Sequence, residues 1–408
     1  MSEKRVLYGI QGEGRGHATR SLHIIRFLRE MGYKVHVFSG GDALTLLSEQ
    51  RLPITEIPLF RLICNQQGKL KIGRTLWKNS LQALGLMFRL GRKYRYITSK
   101  IKRIKPDFII TDFEPYLARI APQMGIPSIA IDHQHIFLES KLPRFKSHRK
   151  RMILFIYKLL TLILAGHPDK IISSSFYHFP AKKQTNASFV GPFIARKLYN
   201  LPVYTRNHIT VYLKEPAYIQ HLLPVFQQIP ETRFEIFSDW SKISKLPQLT
   251  ENVKFCRINQ SRFLDSLATS MALITTAGNQ VIGEAVFMNK PVLAFPKLND
   301  IEQEINGIAL ERSGFGEMCF LNQFDFSSIK QFIKRIPTYR ENIIRQKKVS
   351  EDFDGTSETL HIIESSVNEW QTRQPENVEI HQFRFKSNPS TPKIGDSVNR
   401  LINLLIEG

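Results

Sequence analysis

The chain has 408 residues, 42% of them hydrophobic and 28 of them Phe, more apolar material than one comfortable core needs and enough for two domains. Its three cysteines, Cys64, Cys256 and Cys319, are too scattered for a disulfide framework or a zinc pattern; no run of 18 apolar residues occurs, and MSEKRVLYGI is too short an apolar start for a signal peptide, so a cytoplasmic location is expected. The net charge of +21 is lopsided: residues 1–190 carry 32 Lys/Arg against 12 Asp/Glu, whereas residues 191–408 carry 25 against 24, so an anionic partner is expected on the first half, whether membrane lipid, nucleic acid or a polyphosphate.

Lys4–Ile10 reads as a short strand, residues 11–17 (QGEGRGH) as a loop, Ala18–Met31 as a helix with Leu22, Ile25 and Leu28 on one side, and Tyr33–Phe38 as the next strand. This is how a doubly wound α/β domain begins. A dinucleotide fingerprint fails here, because its third glycine would fall at His17 and no acid stands at the tip of the second strand. Small residues in the run Gly14, Arg15 and Gly16 would instead let the backbone pass close to a substrate, with His17 at the helix start. Pro106–Asp112 is a further strand ending in a carboxylate, and in a parallel sheet that end faces the same crevice as His17. Asp112 also reads as a helix N-cap, and Glu114 stands close enough to be an alternative base. After the strand Ile126–Ile131 come Asp132, His133, Gln134 and His135, a polar lining for a cleft, with no second cluster to complete a metal site.

Two segments interrupt the α/β rhythm. From Leu84 to Ile104, apolar residues recur every three or four positions among Arg and Lys, which predicts a basic amphipathic helix. Lys141, Arg144, Lys146, Arg149, Lys150 and Arg151 then precede Met152–Ala165, too short to span a bilayer but suited to its interface. A buried helix beside a solvated charged face reads the same residues equally well.

The first domain is expected to span residues 1–195, a linker 196–206, a second domain 207–370 and a polar tail 371–408. In the second, Leu273–Gly316 is the most informative stretch. An apolar run tightens at Thr276-Ala277-Gly278-Asn279, becomes a short helix to Met288, and returns after Lys290-Pro291 to the apolar run Val292–Phe295. A helix starting near Asn279 has unpaired N–H groups and the positive end of its dipole at a glycine turn, where a diphosphate can approach. Glu284, and Glu302 with Gln303, flank the same crevice and suit the hydroxyls of a ribose and a sugar. An ordinary βαβ unit would show many of the same features.

The order of these features resembles the donor-sugar signature of GT-B nucleotide-sugar glycosyltransferases, the group that includes the peptidoglycan N-acetylglucosaminyltransferase and the UDP-glucuronosyltransferases. The resemblance extends to Asn306 and Gly314 and, in the first half, to a Gly-rich loop ending in a histidine. It implies a GT-B α/β fold of two Rossmann-like domains facing across a cleft, an inverting transfer of sugar from a nucleotide diphosphate to a hydroxyl, with UDP as the expected nucleotide, and no cofactor or metal. It implies His17 as the base, Asp112 as its partner, an acceptor site at Gly14, Arg15, Gly16, Glu114, His133 and His135, and a donor site at Gly278, Asn279, Glu284, Glu302 and Gln303. Arg257 and Ile258 stand where relatives hold the nucleobase. Lys214-Glu215 replaces a small pair expected near the diphosphate, leaving the Lys214 ammonium to meet a phosphate. With the basic first half, the expected acceptor is lipid-linked and the protein peripheral on an anionic membrane. A nucleic-acid- or small-molecule-modifying transferase, an epimerase of the same fold and a non-catalytic polyanion-binding protein remain as alternatives.

Overall fold

The computed structural model describes residues 4–13, 16–59, 91–213, 216–239, 248–349 and 353–373. Gly14, Arg15, Lys214, the start of the basic helix expected from Leu84, and most of the tail lie outside them. The first sheet has seven strands, β1 (Arg5–Ile10), β2 (Lys34–Ser39), β3 (Ile54–Glu56), β4 (Phe108–Asp112), β5 (Ser128–Asp132), β6 (Lys170–Ser174) and β7 (Ala187–Val190), in the order β3-β2-β1-β4-β5-β6-β7. The second has six, β8 (His208–Tyr212), β9 (Arg233–Ser238), β10 (Val253–Arg257), β11 (Ala272–Thr275), β12 (Val292–Ala294) and β13 (Gly316–Met318), in the order β10-β9-β8-β11-β12-β13. Every pairing within both sheets is parallel. Helices cover the sheets, so the central strands are buried on both faces and read as continuous apolar runs. Phe108–Asp112 is buried at all five positions.

Strand order reverses between β1 and β4 in the first sheet and between β8 and β11 in the second. Loops at such switch points diverge at the carboxyl ends of the strands and open a crevice. Ile10 pairs with Asp112 there, and Thr275 with Tyr212. Both crevices open onto one cleft between the two Rossmann-like halves, the architecture that the resemblance implies.

The halves share a core. Phe137, Phe145, Ile153, Phe176 and Ile194 from the first half pack in one cluster with Leu264, Ile282, Ala285 and Ile305 from the second. The approach is close enough to need glycine. A Cβ on Gly283 would stand 2.7 Å from Pro192, and one on Gly191 would stand 2.0 Å from the Phe353 carbonyl oxygen, where the returning chain crosses the exit from the first half.

That returning chain alters the expected partition. The second domain was expected to run to residue 370, yet the helix Thr356–Arg373 packs on the first sheet. Ile363 and Val367 join its core, the Trp370 ring lies 6.3 Å from that of Phe108, and Lys170 pairs with Glu369 at 3.5 Å. The last helix of the described chain therefore packs on the first half, beside the helix Gly16–Glu30 and against β4, β6 and β7.

The two basic segments are also more internal than their composition implies. In the helix Arg92–Ile104, Tyr94, Ile97 and Ile101 are buried in the chain's own core, which leaves Arg92, Lys93, Arg95, Lys102 and Arg103 exposed around Tyr96. The helix His148–Ala165 buries Ile153, Thr161, Leu162 and Ala165. Its basic start is tied to the second half, where Lys150 pairs with Glu304 and lies over Phe320, and Arg149 donates to Asn299 at 2.9 Å. Among the described residues no helix is long and apolar enough to cross a membrane.

Candidate functional site

The cleft encloses a cavity of about 340 Å³ lined from both halves. From the first come Gly16, His17, Thr19, Arg20, Leu46, His133 and Gln134. From the second come the turn at Thr276 and Gly278–Val281, Glu284, Lys297, Glu302 and Gln303, together with Tyr212, Ile258, Asn259, Gln260, Phe263 and Leu264.

His17 stands in the first turn of the helix Gly16–Glu30, which follows β1. Its Nδ1 lies 2.8 Å from Oδ1 of Asp112 at the end of β4, so an Nδ1–H donor leaves Nε2 as the atom able to accept a proton. Asp112 has no solvent exposure and collects other donors. Arg20 Nε reaches Oδ2 at 3.0 Å, Arg20 Nη2 bonds Oδ1, and Ser21 Oγ reaches Oδ2 at 2.9 Å. Burial alone would raise this carboxyl, but the Arg20 charge, together with the hydrogen bonds from His17 and Arg20, holds it down at about 2. Asp112 is thus a permanent anion. The helix cap, for which Asp112 also suited by sequence, belongs to Glu114 instead, whose carboxylate accepts from the N–H groups of Tyr116 at 2.9 Å and Leu117 at 2.8 Å. Glu114 is buried, raised to about 7 by that burial, and absent from the cleft lining.

The two histidines after β5 divide their work. His133 lines the cleft, with Nδ1 at 3.0 Å from the Ser174 carbonyl and Nε2 at 3.0 Å from Asn306 Oδ1. Burial lowers it to about 4, with Arg20 acting in the same direction. His135 turns away from the cleft; its Nδ1 bonds Asp132 at 2.8 Å and it is 2% exposed, so it braces the β5 loop rather than lining an acceptor site. Gln134 lies between them and donates to Glu302 at 3.4 Å across the cleft.

On the opposite wall β11 ends at Thr275, and the helix Asn279–Phe287 begins after Gly278 with no side-chain cap. The first N–H groups of that helix are the orphan donors that favour an anion. The Asn279 side chain is already engaged: Nδ2 donates to the Ser174 carbonyl at 3.1 Å, and Oδ1 accepts from Phe176 N–H and Ser175 Oγ, each at 3.2 Å. What Asn279 offers a ligand is its backbone, and its amide bolts the turn to the first half. Asn306 secures the same turn, donating to the Ala277 carbonyl at 3.0 Å.

Glu284 lies one helical turn beyond Gln280, which donates to it at 3.1 Å, and burial raises it to about 7. Glu302 and Gln303 begin the helix Ile301–Ser313, capped by Asp300, which accepts from Gln303 N–H at 3.2 Å. Burial raises both Glu302 and Asp300; their mutual repulsion raises Asp300 further, while the Arg20 charge and the Gln134 hydrogen bond draw Glu302 back. Tyr212, Ile258, Phe263 and Leu264 are the apolar part of the second half's lining, the Tyr212 and Phe263 rings packing on each other with centroids 4.9 Å apart. Arg257 is exposed at the end of β10 and outside this lining, so Ile258 and not the guanidinium faces the cavity. Among the described residues no group of three His, Cys, Asp or Glu side chains is placed to hold a metal ion.

Sequence reasoning placed Gln134 in the polar lining but missed Arg20, Gln280, Tyr212 and Phe263. Arg20 carries a usable signal, since residues three apart on a helix share a face and His17 stands three before it. The other three carry none, because their place in the cleft depends on a wall supplied by distant chain.

Residues 4–337 match the family model described as glycosyl transferase family 1. An uncharacterized glycosyltransferase of Methanosarcina acetivorans is 23% identical over 393 residues, which span 89% of this chain and 98% of that relative. Among solved structures, the glycotransferase of kitacinnamycin superposes with a TM-score of 0.65 at 16% identity, over 90% of this chain and 99% of that one. MurG of Acinetobacter baumannii gives 0.55 at 16% identity, over 89% and 99%. At these identities the solved structures share the GT-B fold with this chain.

Proposed function

The chain belongs to glycosyl transferase family 1, and from that premise we propose that it moves a sugar from a nucleoside diphosphate, with UDP as the expected nucleotide, onto a hydroxyl activated by His17. The observation that carries this reading is the His17–Asp112 pair at 2.8 Å, set in the same cleft as the uncapped start of the helix Asn279–Phe287. His17 Nε2 takes the acceptor proton as the hydroxyl oxygen attacks the anomeric carbon. The bond from that carbon to the diphosphate oxygen breaks, and its electron pair leaves with the diphosphate. Asp112 holds the ring and stabilises the imidazolium that forms. The helix start meets the growing negative charge with backbone N–H groups and its dipole, a task that a divalent metal would otherwise serve. A single displacement of this kind inverts the anomeric centre.

Glu284 would accept from the ribose hydroxyls, Glu302 and Gln303 from and to the sugar, and the apolar lining at Tyr212, Ile258 and Phe263 would take the base. His133 and Gln134 line the wall where the acceptor enters. The exposed cations around Tyr96 and the excess charge of residues 1–190 support an acceptor presented at an anionic membrane surface.

The test is a panel of nucleoside diphosphates and their sugars screened by thermal shift, since a ligand of the native state raises the melting temperature. UDP or a UDP-sugar should stabilise both wild type and His17→Ala, and the wild type alone should then transfer. Transfer by the His17→Ala protein at the wild-type rate would sink the base assignment, and loss of activity in EDTA would sink the metal-free account.

A further inference from the structure

Asp112 is a buried anion that needs a counter-charge, and two cationic partners compete to supply it. One is His17, which would then rest as an imidazolium and could not take a proton. The other is Arg20, one helical turn further on. The geometry favours Arg20. Its fork spans both carboxylate oxygens, Nε to Oδ2 at 3.0 Å and Nη2 to Oδ1, while His17 reaches Oδ1 alone. Arg20 Nη2 also lies 3.0 Å from His17 Nδ1, and with the Nδ1 proton directed at Asp112 the guanidinium and the ring meet at the same carboxylate oxygen. The guanidinium is 5% exposed, so its charge is poorly screened, and it cannot lose its proton.

The surroundings make that charge necessary. Around His17 and Arg20 stand Asp112 at the end of β4, Asp132 at the end of β5 and Glu302 of the facing helix, with the neutral phenol of Tyr8 on β1 and His133 beside them. Against these carboxyl groups Arg20 is the fixed cation of the cluster. Two of its donors are engaged by Asp112, which argues against its serving chiefly as a phosphate clamp.

We propose that Arg20 is a positioning residue that carries the counter-charge of Asp112, so that the ring of His17 rests neutral and free to receive the acceptor proton. Asp112 then orients the ring without trapping it. The inference rests on the reading of His17 as the base, but its test needs neither substrate nor turnover.

Histidine ring titrations followed by NMR on the full chain provide that test, with the His17 signal assigned by its loss in His17→Asn. In Arg20→Gln the His17 midpoint should rise by about one pH unit, because an unpaired carboxylate now favours the imidazolium. In Asp112→Asn it should fall, because Arg20 is left uncompensated, and in the double variant it should return toward wild type. A variant that merely loosened the site would broaden the signal without this ordered pattern. An unchanged or lowered midpoint in Arg20→Gln overturns the proposal. Should Arg20→Gln fail to fold, the proposal is equally overturned if Asp112→Asn titrates no lower than the double variant. Retention of transfer by His17→Ala would refute the base assignment separately, whatever the titrations show.

Discussion

At the scale of single residues, the site depends on carboxyl groups made unlike by their surroundings. Asp112 is pinned as an anion by Arg20 and His17, whereas Glu114 and Glu284, equally enclosed but poorer in cations, are raised to about 7. Removal of the proposed base in His17→Ala should lower kcat roughly 10²- to 10⁴-fold, with UDP affinity by calorimetry within a few-fold of wild type. Asp112→Asn should also lose activity, because an amide can hold the wrong ring tautomer. A different histidine, like His133, makes the fold sensitive to acid. His23 is buried, its Nε2 lacks a partner among the described residues, and burial, helped by Arg26, lowers it to about 4. The unfolded chain binds that proton near pH 6.5 and the folded one only near 4, so stability from this residue is complete above 6.5 and lost as pH falls toward 4. Urea melts of His23→Leu against wild type should show the difference in unfolding free energy moving toward the variant by about 3 kcal/mol between pH 7 and 4. An equal slope in both proteins would show that His23 is hydrated.

Among elements, the helix Asn279–Phe287 carries the most consequence. Its uncapped start is where we propose the diphosphate sits, while its side chains fasten it to the opposite half through Asn279 and Gln280, the latter donating to the Phe193 carbonyl at 2.8 Å. Asn279→Ala would leave Phe176 N–H and Ser175 Oγ without that partner in a buried place, a cost of about 1–3 kcal/mol. UDP binding should weaken along with thermal stability, since the turn loses its bolt; a variant with lowered stability and unchanged UDP affinity would separate the two. Gly283→Val, driven against Pro192, should be more harmful than Asn279→Ala in the same melts. The strand, turn and helix themselves were legible in the sequence because the apolar period changes from two to three or four around a glycine. The bolt was not legible. Asn279 bonds residues more than 100 positions away, and an Asn at a helix start reads as a cap or a ligand group until its partner is known. Glu114 was obscured in the same way by Asp112, since two acids two residues apart both suit a cap and only the folded turn shows which one reaches Tyr116 and Leu117.

For the whole molecule, the two-half architecture was legible from length and from motif order, and the lopsided charge was legible by counting. What counting could not supply was direction. Helical periodicity marks an apolar stripe without saying whether the chain's own sheet or a lipid covers it, and for Tyr94, Ile97 and Ile101 the sheet does. Membrane attraction through the helix Arg92–Ile104 should therefore be electrostatic. Binding to vesicles containing anionic lipid should weaken steeply as salt is raised, and Arg92→Glu with Arg95→Glu and Arg103→Glu should weaken it by about 1 kcal/mol or more for each residue changed. Binding that persists in high salt would point to apolar insertion instead. Ile363→Ala, in a fully buried position of the final described helix, should cost about 2–5 kcal/mol and do so through the first half, seen as faster hydrogen exchange in β1 and β4. The position of that helix bears on how the protein is made. A nascent chain ordinarily completes its domains in the order of their synthesis. Here the sheet that is translated first waits for Ile363, Val367 and Trp370, which the ribosome delivers after the entire second sheet. Until then the face around Phe108 stays open to water, to a chaperone or to a neighbouring chain, and the first half cannot be finished before the second half exists.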